Sequence, residues 1–242
     1  MNKNVYFISD IHLGLFNPEE EKVREGNLID FLRFIQPDAS HLFILGDLFD
    51  YWFEYKRVIQ KDFFRTMTSL FELVESGVEV HYIIGNHDFL HKNFFRERVG
   101  VSLHQDPIEV LLNSKKFFLG HGDGLVSNDN GYKILKKIFR NKLLQRIYSM
   151  IHPDLGIKIA SSTSKTSRNY TAEKHYGYTD GLFETASKKI DEGFDYVIFG
   201  HSHDKIIKEH KNGFYINLGT WLDEPCYGLF DGEKFEIIEW KK

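Results

Sequence analysis

Short apolar runs that end in Asp, Asn or His recur five times along the chain, and they limit its fold more than any other feature. Each run has the length of a buried strand, and a polar side chain follows it almost at once. Because α/β sheets place their ligands at the carboxyl ends of strands, these side chains are expected to meet at one edge. The runs and their closing residues are 5–9 with Asp10 and His12, 41–45 with Asp47, 80–84 with Asn86, 116–119 with His121, and 196–199 with His201 and His203.

The segments between these runs predict a layered α/β protein. Apolar residues recur at helical spacing over 20–36 and around 59–76, and a further helix is predicted at about 173–192. The first half therefore follows a β-α-β-α-β pattern, and the chain beyond residue 88 changes to short strands with tight turns. This mixture predicts two stacked sheets. The predicted strands are 5–9, 42–45, 79–84, 101–103, 108–112, 115–119, 196–199, 214–218, 227–230 and 234–240.

Composition excludes several classes of protein. At 242 residues, with 42% hydrophobic and 27% charged residues, the chain predicts one globular domain or one domain with an insertion. A net charge of −4 argues against general nucleic-acid binding. Cys226 is the only cysteine, which fits a reducing cytoplasm. The amino terminus does not resemble a signal peptide, and no apolar stretch reaches about 18 residues, so any membrane contact is expected to be peripheral.

An insertion after His121 has a different character. From Gly131 to Tyr170 it carries nine Lys or Arg residues and a single acid, Asp154, on an otherwise acidic chain. Aliphatic residues recur among them at the spacing of an amphipathic helix, which Pro153 would end before a second helix at about 155–163. This pattern fits a solvated helix with a core-facing stripe. It equally fits a basic, apolar cap that holds an anionic lipid or touches a membrane surface.

The side chains at the strand ends form an oxygen and nitrogen ligand set without cysteine. Such a set suits Mn²⁺, Fe²⁺, Zn²⁺ or Mg²⁺. Seven ligands are too many for one tetrahedral ion and favour two ions that share a carboxylate. Two cations about 3.5–4 Å apart can acidify a shared water and hold both oxygens of a phosphoryl displacement. The seven candidates are Asp10, His12, Asp47, Asn86, His121, His201 and His203.

Histidines outside the strand ends are interpreted as ordinary core or surface residues, because a single histidine is seldom a ligand. They are His41, His81, His91, His104, His152, His175 and His210.

The motifs form five blocks in a fixed order: Asp10-Ile11-His12, Gly46-Asp47-Leu48-Phe49-Asp50, Gly85-Asn86-His87-Asp88, Gly120-His121 and Gly200-His201-Ser202-His203. Together they resemble the calcineurin-like metallophosphoesterase superfamily. The resemblance implies a four-layer α/β/β/α sandwich and two metal sites bridged by Asp47. The ligand sets that it implies are Asp10, His12, Asp47 and His203 for one ion, and Asp47, Asn86, His121 and His201 for the other.

The third block supplies the implied catalytic residues. In the superfamily, a histidine at the position of His87 helps to stabilise the transition state or to protonate the leaving oxygen. With Asp88 adjacent, general-acid catalysis by this pair is chemically reasonable. Asp50 and Asp88 are expected to orient histidines or backbone rather than to bind metal.

Longer matches resemble one branch of the superfamily, the UDP-2,3-diacylglucosamine pyrophosphohydrolases of lipid A synthesis. They include 46–52, 85–90 and 218–221, and the resemblance covers nearly the whole chain. It implies a catalytic core over 1–125 and 171–242 and a helical cap over 126–170, whose apolar chamber takes acyl chains. The implied substrate-binding residues are Trp52, Asn86, His87, Asp129, Tyr132, Lys165, Ser167, Arg168 and His201. One position departs from the branch, since its best-known members carry Arg where this chain has His87.

The implied reaction converts UDP-2,3-diacylglucosamine to UMP and 2,3-diacylglucosamine 1-phosphate with two divalent ions, of which Mn²⁺ is the expected one. The implied partners are the lipid-linked UDP-sugar and the cytoplasmic face of the inner membrane, with no nucleic acid. The protein is expected to be a monomer or homodimer. An alternative is a metallophosphoesterase for another nucleotide pyrophosphate or a phosphorylated sugar or lipid. A non-catalytic scaffold of this fold usually lacks some ligands, whereas this chain keeps all seven.

Overall fold

The computed structural model describes residues 4–125, 141–158 and 181–241. Within these ranges the strands are β1 (Asn4–Ile8), β2 (Ala39–Ile44), β3 (Glu79–Ile83), β4 (Ser102–His104), β5 (Ile108–Leu112), β6 (Lys115–Leu119), β7 (Tyr196–Phe199), β8 (Lys205–His210), β9 (Gly213–Leu218), β10 (Cys226–Phe230) and β11 (Phe235–Glu239). The helices are α1 (Pro18–Ile35), α2 (Phe64–Glu75), α3 (Lys142–Tyr148) and α4 (Gly181–Asp191), with a π-helical turn at Phe95–Val99.

The strands form two sheets. The first has the order β11-β10-β1-β2-β3-β4. Strands β1 to β4 run parallel to one another, and β10 pairs antiparallel with both β1 and β11. The second has the order β5-β6-β7-β9-β8, with a parallel centre of β6, β7 and β9. Both sheets therefore bring parallel strands to a common carboxyl edge.

Alternate residues of one strand pack into different layers. In β1, Tyr6 and Ile8 belong to the core under α1 and α2, whereas Val5 and Phe7 belong to the core between the sheets. On the far side, Ala186 of α4 packs on the second sheet. Helix, sheet, sheet and helix follow one another, so the predicted α/β/β/α sandwich is confirmed.

One predicted helix start was wrong and one strand was missed. Helix α2 begins at Phe64 rather than near residue 59, because Lys61 and Phe64 form a turn through their backbone groups. Strand β8 lies at a sheet edge, and most of its side chains are exposed, so it lacks the apolar run that marks the other strands.

The described part of the insertion is helical. Helix α3 ends at Tyr148, before the predicted break at Pro153, and a second helical segment covers 153–158. The predicted helix before residue 141, the rest of the second one and the cap boundaries lie outside the described residues, so the domain division stays a prediction. Among the helices that the structure describes, none has the length and apolar character needed to cross a membrane.

Candidate metal centre

All seven predicted ligands follow strands that end at the common carboxyl edge. Five of them have backbone in the left-handed region, which L-residues seldom adopt and which costs free energy. This conformation turns the chain sharply after each strand and directs the side chain inward. The five residues are Asp10, His12, Asp47, His201 and His203.

The glycines of the motifs are required by close packing. Gly46 has φ of +89°, and a Cβ there would collide with the imidazole of His121. A Cβ on Gly85 would collide with the Asp47 carboxylate, and one on Gly200 with that of Asp10. The glycines therefore make room for the predicted ligands.

A backbone contact joins the first two ligand loops. The main-chain oxygen of Asp47 accepts hydrogen bonds from the N–H groups of both Ile11 and His12, each at 2.9 Å. The loop after β1 and the loop after β2 are therefore fixed to each other.

Asp10, His12 and His203 form one group of possible ligands. Oδ1 of Asp10 lies 3.4 Å from Nε2 of His203 and 3.9 Å from Nε2 of His12. The two Nε2 atoms are 3.3 Å apart. These three side chains can therefore point donor atoms at one position.

His121 is the centre of a second group. Its Nδ1 donates to the main-chain oxygen of Leu45 at 2.8 Å, which leaves the lone pair of Nε2 directed into the site. This Nε2 lies 2.9 Å from Oδ1 of Asn86 and 3.3 Å from Oδ2 of Asp47. The His201 ring packs edge-on against His121 with the centroids 5.0 Å apart.

Asp47 lies between the two groups. Its Oδ2 is 3.3 Å from Nε2 of His121 in one group and 3.8 Å from Nε2 of His12 in the other. Burial alone raises the pKa of Asp47, but the neighbouring His121, His87 and His12 outweigh it and hold the pKa well below its usual range. The carboxylate is therefore ionised in the position expected of a bridge.

The donor set fits divalent cations. Oδ1 of Asp10 is fully buried, and within the described ranges no donor meets it with hydrogen-bond geometry. An ionised buried oxygen of this kind requires a positive partner. Burial and the neighbouring His121 lower the pKa of His201 to about 4, so its imidazole is neutral at pH 7, as a ligand must be.

His87 lies beside these groups with Asp50 behind it. The Oδ1 atom of Asp50 is 3.5 Å from Nδ1 of His87 and 3.7 Å from Nδ1 of His12. One buried carboxylate thus faces both imidazoles, as predicted for a residue that orients histidines.

The structure places Asp88 against backbone groups of two ligand loops, and its assignment as a catalytic residue stays a prediction. It is fully buried and accepts hydrogen bonds from the N–H groups of Leu48 and Gly85 and from the hydroxyl of Tyr82. Burial, with Asp47 nearby, raises its pKa. Asp88 therefore joins the second and third ligand loops and has no exposed surface for a substrate.

The assignment of Trp52 is corrected. Its side chain is fully buried, stacks on Phe49 and donates its indole N–H to Glu54, so it belongs to the core rather than to a sugar-binding surface. Asn86, His87 and His201 do lie at the site. The other predicted substrate contacts lie outside the described residues: Asp129, Tyr132, Lys165, Ser167 and Arg168.

The sequence reasoning missed two side chains that hold the ligand loops. The hydroxyl of Thr220 donates to the main-chain oxygen of Asp10 at 3.0 Å, and the buried amide of Asn217 donates to that of Gly200 at 2.6 Å. A buried asparagine inside an apolar strand was the available indication, since a buried amide needs a partner.

The fold and the ligand geometry together define a metal-dependent phosphoesterase. Residues 3–205 match the calcineurin-like phosphoesterase family, and the chain belongs to it. The family and the clustered carboxylates and imidazoles indicate divalent metal ions.

Its relatives include UDP-2,3-diacylglucosamine hydrolases. The one from Porphyromonas gingivalis is 30% identical, over 96% of this chain and 95% of its own. The one from Haemophilus influenzae strain PittGG is 32% identical over 90% and 91%. Among solved structures, an archaeal phosphodiesterase is similar with a TM-score of 0.49 and 16% identity, over 98% of this chain and 99% of its own.

Proposed function

We propose that the protein hydrolyses the pyrophosphate of UDP-2,3-diacylglucosamine to UMP and 2,3-diacylglucosamine 1-phosphate. The similarity to hydrolases of that name over nearly the whole chain supports the substrate. The observation that carries the chemistry is the position of Asp47 Oδ2 between His12 and His121.

The proposed ligand sets follow this arrangement. Asp10, His12, Asp47 and His203 would hold one ion, and Asp47, Asn86, His121 and His201 the other. When bound, the two ions would activate a water and neutralise the charge on the phosphoryl oxygens. Mn²⁺ is proposed because the set combines carboxylate, amide and imidazole without thiolate, with Fe²⁺, Zn²⁺ and Mg²⁺ as alternatives.

His87 is proposed to act on the phosphoryl or leaving oxygen. It borders the ligand groups, and its side chain keeps 14% exposure, so a substrate can reach it. Nδ1 of His87 donates to the main-chain oxygen of Asp50 at 3.3 Å, which orients the ring, and the Asp50 carboxylate lies 3.5 Å away. His87 would then donate a hydrogen bond or a proton as the pyrophosphate bond breaks.

The described part of the insertion is proposed to contact the acyl chains and the membrane surface. No residue of α3 is buried, and exposed apolar side chains stand beside Lys142 and Arg146. Such a basic, apolar face suits an anionic lipid surface. The hydroxyl of Tyr148 accepts a hydrogen bond from the hydroxyl of Tyr51 at 3.0 Å. Tyr51 directly follows Asp50, so this bond fixes the segment to the core. The exposed apolar residues are Leu143, Leu144, Ile147, Met150 and Leu155.

Purified protein with Mn²⁺ should release UMP from the diacylated substrate and leave UDP-N-acetylglucosamine, which lacks the two chains, nearly untouched. In ¹⁸O-labelled water the label should enter UMP, which reports attack on its phosphorus. Asp47→Ala is the control for contaminating activity. Hydrolysis of another pyrophosphate with the lipid left intact would overturn the substrate and favour the alternative phosphoesterase.

A further inference from the structure

Three histidines and a glutamate cluster far from the candidate metal centre. His41 is on β2, Glu79 and His81 are on β3, and His104 is on β4. His41 and Glu79 are opposite each other in the parallel pairing. From His41, strand β2 continues for three residues to Ile44, roughly 10 Å at about 3.3 Å per residue, before the loop that carries Asp47 begins. The cluster therefore lies toward the other end of the strands and is distinct from the metal centre.

The spacing of the donor atoms suits a metal ion better than hydrogen bonds. Oε2 of Glu79 lies 3.7 Å from Nε2 of His41 and 3.9 Å from Nε2 of His81, beyond hydrogen-bond range. One ligand atom from each of the three residues lies within 4.8 Å of the others. Ligands about 2.0–2.1 Å from a tetrahedral Zn²⁺ are roughly 3.3 Å apart. The two carboxylate–imidazole distances would therefore need to shorten by about half an ångström to form the site.

Hydrogen bonds at Nδ1 hold both rings with their Nε2 atoms near Glu79. The Ser40 hydroxyl donates to the main-chain oxygen of Asn4, so its oxygen accepts from Nδ1 of His41 at 3.0 Å. This assigns the proton of His41 to Nδ1. Nδ1 of His81 lies 3.1 Å from Nε2 of His104, and this contact holds the His81 ring. A proton on Nδ1 of His81 would leave its Nε2 lone pair for an ion.

Packing limits the freedom of the two rings. His81 stacks on Phe43 at 4.8 Å between centroids, and His41 lies parallel to the same phenyl ring at 5.9 Å. Glu79 is 71% exposed and leaves an open approach for an ion. A rigid pair of imidazoles with a mobile carboxylate is a reasonable metal-binding arrangement.

We propose that His41, Glu79 and His81 bind a transition-metal cation, Zn²⁺ in the first instance, independently of the metal centre and with water as a fourth ligand. His104 is a positioning residue that orients His81. The bound ion would link β2 to β3 at the end of the sheet opposite the catalytic edge. Two imidazoles and one carboxylate favour Zn²⁺ over Mg²⁺ or Ca²⁺.

The test uses the tag-free 242-residue protein carrying Asp10→Ala, Asp47→Ala and His121→Ala, which removes ligands from both groups of the metal centre. Equilibrium dialysis against Zn²⁺ with elemental analysis should find about one ion per chain. Co²⁺ in its place should give the visible absorption of a tetrahedral complex. Absence of bound Zn²⁺ in this background would overturn the proposal.

Adding Glu79→Gln should weaken Zn²⁺ binding at least tenfold, and adding His81→Gln should abolish it. The exposed Glu79 is the safer variant, since its side chain is not part of the core. His210→Gln, at another surface histidine, is the matched control and should leave binding unchanged. Equal affinity in the Glu79→Gln and His210→Gln proteins would contradict the site.

Discussion

Oδ1 of Asp50 stands 3.5 Å from Nδ1 of His87, whereas the carboxylate of Asp88 accepts from backbone N–H groups and from the Tyr82 hydroxyl. Asp50→Asn keeps the shape of the side chain and removes its charge. We expect kcat to fall about 10–100-fold at saturating Mn²⁺, with a small change in KM, because the imidazole loses the negative charge beside Nδ1 while its hydrogen bond to the main-chain oxygen of residue 50 remains. Steady-state kinetics checks this, with the exposed Asp191→Asn as control. An unchanged kcat would contradict the role of Asp50.

Asp47→Ala removes the carboxylate common to both ligand groups. Turnover should fall by on the order of 10³-fold or more, about 4 kcal/mol of transition-state stabilisation. Elemental analysis should show fewer than two ions per chain at the metal centre. Full metal content together with near-normal turnover would refute the bridging role.

Asp88→Ala should reduce stability. It leaves the N–H groups of Leu48 and Gly85 and the Tyr82 hydroxyl without their buried acceptor. A loss of about 2–4 kcal/mol is expected in the free energy of unfolding, measured with urea. Tyr82→Phe removes one of these bonds and should cost about 1 kcal/mol. Equal stability of wild type and Asp88→Ala would show that the loops are held in another way.

The exposed face of α3 should determine lipid contact. Leu143→Asp and Ile147→Asp should weaken sedimentation with phosphatidylglycerol vesicles several-fold and raise KM for the diacylated substrate, because each places a charge on the apolar face. Hydrolysis of a small soluble phosphodiester should change little. Ile207→Asp, at an exposed apolar position on β8, is the matched control. Identical losses for the α3 variants and the β8 variant would argue against a specific face.

Acid should destabilise the sheet edge at His81. Burial, with His104 and His41 nearby, lowers the pKa of His81 to about 4 from an unfolded value of about 6.5. The unfolded chain therefore takes up a proton first, so this contribution to stability is complete above about pH 6.5 and declines as the pH falls toward 4. Urea unfolding in the presence of EDTA should show this slope, and His81→Phe should flatten it. Parallel pH profiles for the two proteins would exclude His81 as the cause.

The sequence was informative where an apolar strand and the polar residue directly after it formed one recognisable pattern. Asp10, Asp47 and His121 could be found because each follows an apolar run, and parallel topology brings such ends together. The partners of Asp88 could not be found in this way, because its acceptor atoms serve backbone groups from another loop. Trp52 was predicted to bind substrate because of the motif in which it lies. Its burial depends on the aromatic residues that pack around it, such as Phe49, and the motif alone does not give that packing.

The histidine and glutamate cluster shows the same limit. His41, His81 and His104 belong to three different strands, and only the register of β2, β3 and β4 places them side by side. Strand β8 escaped prediction for another reason, since an edge strand with polar faces lacks the alternation that marks half-buried strands.

The main-chain oxygen of Asp47 accepts from both Ile11 and His12, so the ligand loops after β1 and β2 form one rigid unit. The ligand loops proposed to carry out the hydrolysis and the insertion proposed to contact the lipid are then separate parts of the chain. We expect new substrate preferences to arise through changes in the insertion after His121, while the ligand loops stay the same.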